Sequence, residues 1–248
     1  MHPTKKIGVM APLLMMGAMQ HAMAAHPLVT DDAGTQGAGN HQIEINSDRA
    51  TARDNSKQTS GDVTYTYGLT SRLDLFADQP FTVSAPRGIN DTSLGLKWRF
   101  FENDATSVAL KSSVSMANAN DDKGFGSGRN NLSATLIASH ETGPWGLHYN
   151  LGMGTNRFKS QDAQGGNRRM IWKTSAAATY AVTPQVKAVG DIGVARNADI
   201  ANKQNPAYAL TGLIYSPHKD LDLDVGMKFG LNNAEIKRQF GAGLTVRF

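Results

Sequence analysis

The sequence predicts an all-β fold, a transmembrane up-and-down antiparallel β-barrel of about 12 strands. Three observations carry that expectation. Apolar and polar residues alternate with a period of two along most of the chain. Short turns and longer polar loops join the alternating segments by turns. The first residues read as an export signal.

The leader comes first. Lys5 and Lys6 precede an apolar run from Ile7 to Met19, and Ala22-Met23-Ala24 has the small-x-small form of a cleavage site. The run is shorter than the ~20 residues that a membrane-crossing helix needs. Residues 1–24 are therefore expected to be a signal peptide, cleaved on export. Its removal takes two lysines and no carboxylate, so the formal charge falls from +4 to +2. That is not the basic excess of a nucleic-acid binder, and no nucleic-acid partner is expected. The chain contains no cysteine, which excludes disulfide scaffolds and thiol chemistry.

Residues 25–39 follow, including the stretch HPLVTDDAGTQGAG. Its glycines resemble a phosphate-binding loop only superficially, because such a loop needs a strand before it and a helix after it. His26, near the new N-terminus, has donor types suited to copper, with Asp31 and Asp32 as further ligands. No cluster of His or Cys supports such a site, so neither metal nor cofactor is expected. The segment reads as a flexible polar lead. It either hangs in the periplasm or folds into the lumen as a short plug, with Asp31 and Asp32 as its contacts.

The barrel is expected to occupy residues 40–248 without a domain boundary. Its strands are predicted at 40–51, 59–68, 72–82, 91–101, 105–117, 128–140, 145–156, 168–181, 185–196, 206–216, 219–230 and 235–248. The clearest is LDLDVGMKFG, where Leu221, Leu223, Val225, Met227 and Phe229 take one face and Asp222, Asp224 and Lys228 the other. Leu94, Leu96, Trp98 and Phe100 alternate with Gly95, Lys97 and Arg99 in the same way. So do Leu147, Tyr149, Leu151 and Met153 with His148, Asn150, Gly152 and Gly154. Short turns are expected at 68–71, 102–105, 142–144, 183–185 and 217–220, and longer loops at 52–58, 83–90, 118–127, 157–167 and 197–205. The connection at 231–234 is as short as a turn and breaks the trend. No helix of useful length is expected after the leader.

Alternation alone does not say which face meets water. Three features place lipid outside and water within. The last alternating strand ends on Phe248, the C-terminal signal typical of outer-membrane barrels. Tyr67, Phe100, Trp145, Tyr180 and Tyr215 lie next to short turns, where an interfacial aromatic girdle belongs. Lys97, Lys111, Lys173, Asp191, Asp222 and Asp224 stand at mid-strand on the polar face, where a dry interior would make them costly.

As a set, these groups are candidate lumen-lining residues. Lys97, Arg99, Lys111, Lys173 and Lys187 form a basic arc, and Asp74, Asp78, Asp222 and Asp224 lie on strands either side of it. Opposed arcs set a transverse field that orients dipolar solutes and tunes ion selectivity. The alternative is that the groups pair and close the lumen. No catalytic residue is expected. Ser139, His140, Glu141 and His148 surround one turn, but alternation sends Ser139 and His140 to opposite faces. Asp121 and Asp122 lack the spacing of a calcium loop.

One resemblance covers the whole exported chain. His26-Pro27-Leu28, Thr30-Asp31-Asp32, Ile43-Glu44-Ile45, Tyr67-Gly68-Leu69-Thr70 and Leu73-Asp74-Leu75 resemble the lead, first strand and first turn of outer-membrane transporters in the "MetA-pathway of phenol degradation" family. The resemblance implies passage of aromatic or other small hydrophobic molecules, and it carries over no catalytic residues. The leading expectation is thus a passive small-molecule channel in the outer membrane of a Gram-negative bacterium. Its expected partners are outer-membrane lipid and the barrel assembly machinery, engaged through the C-terminal strand. A structural or surface-interaction barrel with a closed lumen is the alternative, and an outer-membrane hydrolase a more distant one.

Overall fold

The computed structural model describes residues 26–248. The expected signal peptide therefore lies outside the described residues. Thirteen strands form one antiparallel sheet. In chain order they are β1 (His41–Thr51), β2 (Lys57–Thr70), β3 (Leu73–Thr82), β4 (Gly88–Ile89), β5 (Ser93–Glu102), β6 (Thr106–Ser115), β7 (Asn131–Thr142), β8 (Trp145–Thr155), β9 (Met170–Ala181), β10 (Val186–Ala195), β11 (Ala207–His218), β12 (Leu221–Gly230) and β13 (Arg238–Arg247). β4 is a two-residue spur on the end of β3. The other twelve are 10–14 residues long, enough to cross a bilayer, for which about 9–11 residues per tilted strand suffice.

Each long strand pairs with its sequence neighbours, and β1 pairs with both β2 and β13, closing the cylinder. Closure leaves no sheet edge, so every ladder group within hydrocarbon has a partner. The distribution of side chains is that of a membrane protein. Along β8, Trp145 is 46% exposed and Leu151 51%, whereas His148 is 4% and Asn150 5%. The outer wall is a continuous apolar belt, far beyond the patches a soluble monomer exposes. The wholly buried apolar cluster is small, Ala33, Ala109 and Ile137. The protein is a membrane-spanning β-barrel. Among the described residues no helix is long and apolar enough to cross a membrane.

The expected twelve strands are all present, with ends displaced by a few residues. Three departures have physical causes. The last connection spans residues 231–237 rather than 231–234, because the Arg53 guanidinium binds the carbonyls of Gly230, Asn232 and Glu235 at 3.0, 2.5 and 3.0 Å. Those carbonyls are held off the ladder, and the loop joins the long class after all. A short helix, α1 (Gln161–Gly166), sits in an expected loop, with Ser160 accepting from the Ala163 N–H as its cap. The loop after β6 is held by Asp91, which accepts from the backbones of Ala119 and Ser127 at 3.0 and 2.9 Å. β7 accordingly starts at Asn131.

The seam between β13 and β1 carries an aromatic cluster. Phe248 stacks on His41 at 5.3 Å with 9° between the planes, and His41 Nδ1 meets the Tyr65 hydroxyl at 2.7 Å. Such a stack contributes about 0.5–1.5 kcal/mol beyond area burial. Phe248→Ala is therefore expected to lower the temperature at which the folded barrel loses its compact electrophoretic mobility in detergent. An unchanged transition would show that the ladder alone holds the seam.

Candidate functional site

The inward parity builds a polar lumen, and the lead segment lies in it. From His26 to Gly39 the chain meets each long strand in turn. His26 starts against the β12, β13 and β1 wall. Its imidazole lies over Gly241, with Nδ1 2.5 Å from Asp224 Oδ1 and Nε2 3.4 Å from Asp48 Oδ1. Pro27 packs on Gly212 of β11 and Gly226 of β12, and a methyl group at either position would collide with its ring. These glycines are where the inward face drops to backbone height and the lead can lie against the wall.

The middle of the segment is held by side chains that point inward from β10 to β5. Asp191 accepts the N–H groups of Val29 and Thr30, both at 2.8 Å, the Thr30 hydroxyl at 2.9 Å and the Tyr208 hydroxyl at 3.0 Å. Asn150, its amide oriented to satisfy both groups, donates to the Asp31 carbonyl at 2.8 Å and accepts the Asp31 N–H at 2.7 Å. The Asp31 carboxylate takes Lys111 Nζ at 3.0 and 3.1 Å. Asp32 lies 3.5 Å from Lys97 Nζ, both side chains almost wholly buried, and its Oδ1 also accepts the Gly34 N–H at 2.7 Å. Thr35 then donates to the Ser71 carbonyl at 2.9 Å, and the Gln36 N–H to both oxygens of Asp74. Gly37 and Gly39 adopt φ of +82° and +80°, left-handed values that favour glycine, and turn the chain into β1.

Of the residues singled out from sequence, Asp74, Lys97, Lys111, Asp191 and Asp224 meet the lead. Asp222 does not. It binds Arg247 at 2.7 Å and the Ser216 hydroxyl at 2.5 Å, tying β11, β12 and β13 together. Arg99 binds Glu102 at 2.9 Å and the Ser71 carbonyl at 2.9 Å, near the short-turn end. Lys173 and Lys187 face the lumen without a carboxylate within 4.0 Å among the described residues.

Sequence reasoning missed the role of His148. Ser139 and His148 are directly opposite in the β7–β8 register, both buried, with Oγ 2.9 Å from Nδ1. The Ala33 N–H donates to that same Oγ at 2.9 Å. The hydroxyl is thus engaged on both sides and seats the lead. Counting across the intervening turn would have paired the two residues, had the register been known. Also missed was His26 as a lumen residue, since nothing local marks its distant carboxylates.

These contacts define a class, an outer-membrane barrel whose lumen is occupied by its own N-terminal segment. The chain belongs to the family described as "Putative MetA-pathway of phenol degradation", whose sequence model matches residues 25–248. No curated protein matches it in sequence. Its fold is similar to that of an outer membrane channel from Pseudomonas putida F1, at 12% identity and TM-score 0.71, over 88% of this chain and 98% of that one. It is also similar to the NanC porin, at 10% identity and TM-score 0.62, over 83% of this chain and 98% of that one. The KdgM porin, described in complex with disordered oligogalacturonate, follows at 8% identity and TM-score 0.61, over 84% and 99%.

The charges on the lead depend on pH in opposite senses. Burial works against charging His26, but the hydrogen bonds and attraction of Asp224 and Asp48 outweigh it and raise the imidazole from 6.5 to about 9. Both ring nitrogens face carboxylates, so both must donate, which only the imidazolium does. For Asp31, burial opposes ionisation, yet Lys111 and Lys97 outweigh it and the carboxyl falls below its ordinary 3.8. The His26 contribution, at most on the order of 3 kcal/mol, is complete below its unfolded value and lost as pH rises through about 9. The Asp31 contribution is complete above its ordinary range and lost as pH falls below it. Hydrogen exchange at Val29 and Thr30, corrected for intrinsic rates, is therefore expected to be slowest near neutral pH and to quicken towards pH 10. His26→Gln should abolish the alkaline change. Equal protection throughout would show that His26 does not anchor the lead.

Proposed function

We propose that this protein is an outer-membrane channel for small solutes, constricted by residues 26–39. The lead's seat is the observation that carries the reading. It is docked by hydrogen bonds and ion pairs to an otherwise polar wall, not by an apolar core. Above it, towards the long loops, a chamber of about 430 Å³ remains, bordered by Asp31, Lys111 and Lys173. A barrel built only as scaffold would gain more from filling that space with side chains.

Fold similarity to a channel and to porins supports this reading. The family description supplies small aromatic compounds as a candidate solute class, and Phe76 is the aromatic ring at the chamber wall. On the same reading, residues 1–24 are removed on export, lipid surrounds the apolar belt, and the assembly machinery engages β13 with the Phe248 that follows it. Ser139 and His148 serve as a seat for Ala33 and not as a nucleophile and its base.

Planar bilayers test it. Purified full-length protein is expected to give small single-channel currents, and a chain lacking residues 26–36 larger ones. Folded protein with no conductance in either form would favour a closed structural barrel. Equal currents would remove the lead from the permeation path.

A further inference from the structure

The chamber above the lead is lined by charges of both signs, and several have no ionic partner. On one wall stand Asp62 of β2 and Asp78 of β3, diagonal neighbours, since Asp62 lies opposite Pro80 and Thr64 opposite Asp78. Asp62 Oδ2 accepts from Asn46 Nδ2 at 3.0 Å, and Asp78 Oδ1 accepts from the Thr64 hydroxyl at 3.0 Å. Among the described residues, neither carboxylate has a cation within 4.0 Å, and one oxygen of each has no donor. The other wall carries Lys173 of β9. Its methylene stem lies along Gly152 of β8, and its ammonium has no carboxylate partner among the described residues. Lys111 borders the same space, but Asp31 already occupies it.

We propose that this chamber is a binding site for a small zwitterion, an organic molecule with an ammonium group at one end and a carboxylate at the other. The ammonium end meets Asp62 and Asp78, and the carboxylate end meets Lys173. Phe76, whose ring covers Gly95 on the wall between and carries the Lys111 ammonium 5.0 Å from its centroid, leaves its ring edge to the connecting carbons. The chemistry follows from charges of opposite sign standing on different strands around one chamber. Two adjacent carboxylates without a counter-ion repel each other, and an ammonium placed between them relieves that repulsion. A simple cation or anion satisfies one wall and leaves the other uncompensated, whereas a dipolar molecule satisfies both at once. The volume, about 430 Å³, lies within the ~300–1,000 Å³ range of small-ligand pockets. The inference deepens the channel reading, on which it rests for the role of the site in permeation, but binding itself does not require conduction.

The test uses folded full-length protein in detergent and three probes of equal chain length, γ-aminobutyrate, butyrate and butylamine. Calorimetry is expected to show γ-aminobutyrate binding at least about tenfold more tightly than either single-charge probe. Asp62→Asn and Asp78→Asn, each isosteric, should bring γ-aminobutyrate down to the affinity of butyrate. Lys173→Met should bring it down to the affinity of butylamine. Heat-modified electrophoretic mobility confirms that each variant is folded. Equal affinity for the three probes, no binding of any, or variants that bind γ-aminobutyrate as the parent does would overturn the proposal. Potassium chloride conductance of the same preparation separates the two readings. Conduction without zwitterion binding sinks this site alone, and binding without conduction upholds the site and sinks the channel.

Discussion

A chain that crosses hydrocarbon must satisfy each backbone N–H and C=O within itself, and here the pairing of β1 with β13 does so. Ten residue pairs, from Gln42 with Arg247 to Thr51 with Arg238, turn an open sheet into a cylinder. Most other features follow from that closure. Once the sheet is closed, each strand has an outer face in lipid and an inner face around a narrow volume. The period of two in the sequence becomes a radial division of chemistry, with Leu223 and Val225 outside and Asp222 and Asp224 within. Charged residues on the inner face escape the penalty of lipid, but they meet one another across a confined space. How they are compensated then decides what the interior can admit.

Compensation comes in two kinds. Near the short turns it is local: Arg247 with Asp222, and Arg99 with Glu102. At mid-barrel it comes from the lead, which brings Asp31 and Asp32 to Lys111 and Lys97 and brings His26 to Asp224. Opposite Asp31 and Asp32 the wall supplies Lys111 and Lys97, and opposite His26 it supplies Asp224 and Asp48, so the two fit by charge as well as by shape. The shape is set by Gly212, Gly226 and Gly241, which lower the wall beneath Pro27 and His26. Further towards the long loops the lead is absent, and among the described residues Asp62, Asp78 and Lys173 have no ionic partner within 4.0 Å.

Much of this architecture was legible in the sequence, because a half-exposed strand records its orientation in every second residue. LDLDVGMKFG and WGLHYNLGMG could be assigned to faces without any knowledge of their neighbours. What could not be read was anything that depends on register or on distant partners. The connection before β13 looked short because alternation continues through Ile236 and Lys237, while a guanidinium from residue 53 pulls its carbonyls away. The Ser139–His148 pair spans a hairpin whose exact register decides whether the two meet. His26 gave no local sign that its carboxylates lie 22 and 198 residues away. The inner charges of β5, β6, β10 and β12 were visible as a set, but their pairing with the lead is a property of the closed cylinder.

The manner in which the lead is held bears on whether it is a fixed element. A segment docked through an apolar face would gain roughly 25 cal/mol for each Å² of apolar area removed from water and would be committed to its seat. This one is docked almost wholly through polar groups, each of which exchanges a bond to water for a bond to protein at a net gain of only about 0.5–1.5 kcal/mol. Lys97 and Asp32 are the exception, because both are deeply buried and neither is served well by water where it lies. Breaking that pair while leaving either charge dry costs about 3–5 kcal/mol. Breaking it by withdrawing the lead admits water to both, and much of that cost disappears. The same contacts therefore resist loss of a single side chain more than they resist displacement of the segment as a unit. A polar plug in a polar lumen is specific in its seating, and water entering the lumen can take over each of its contacts as the segment leaves.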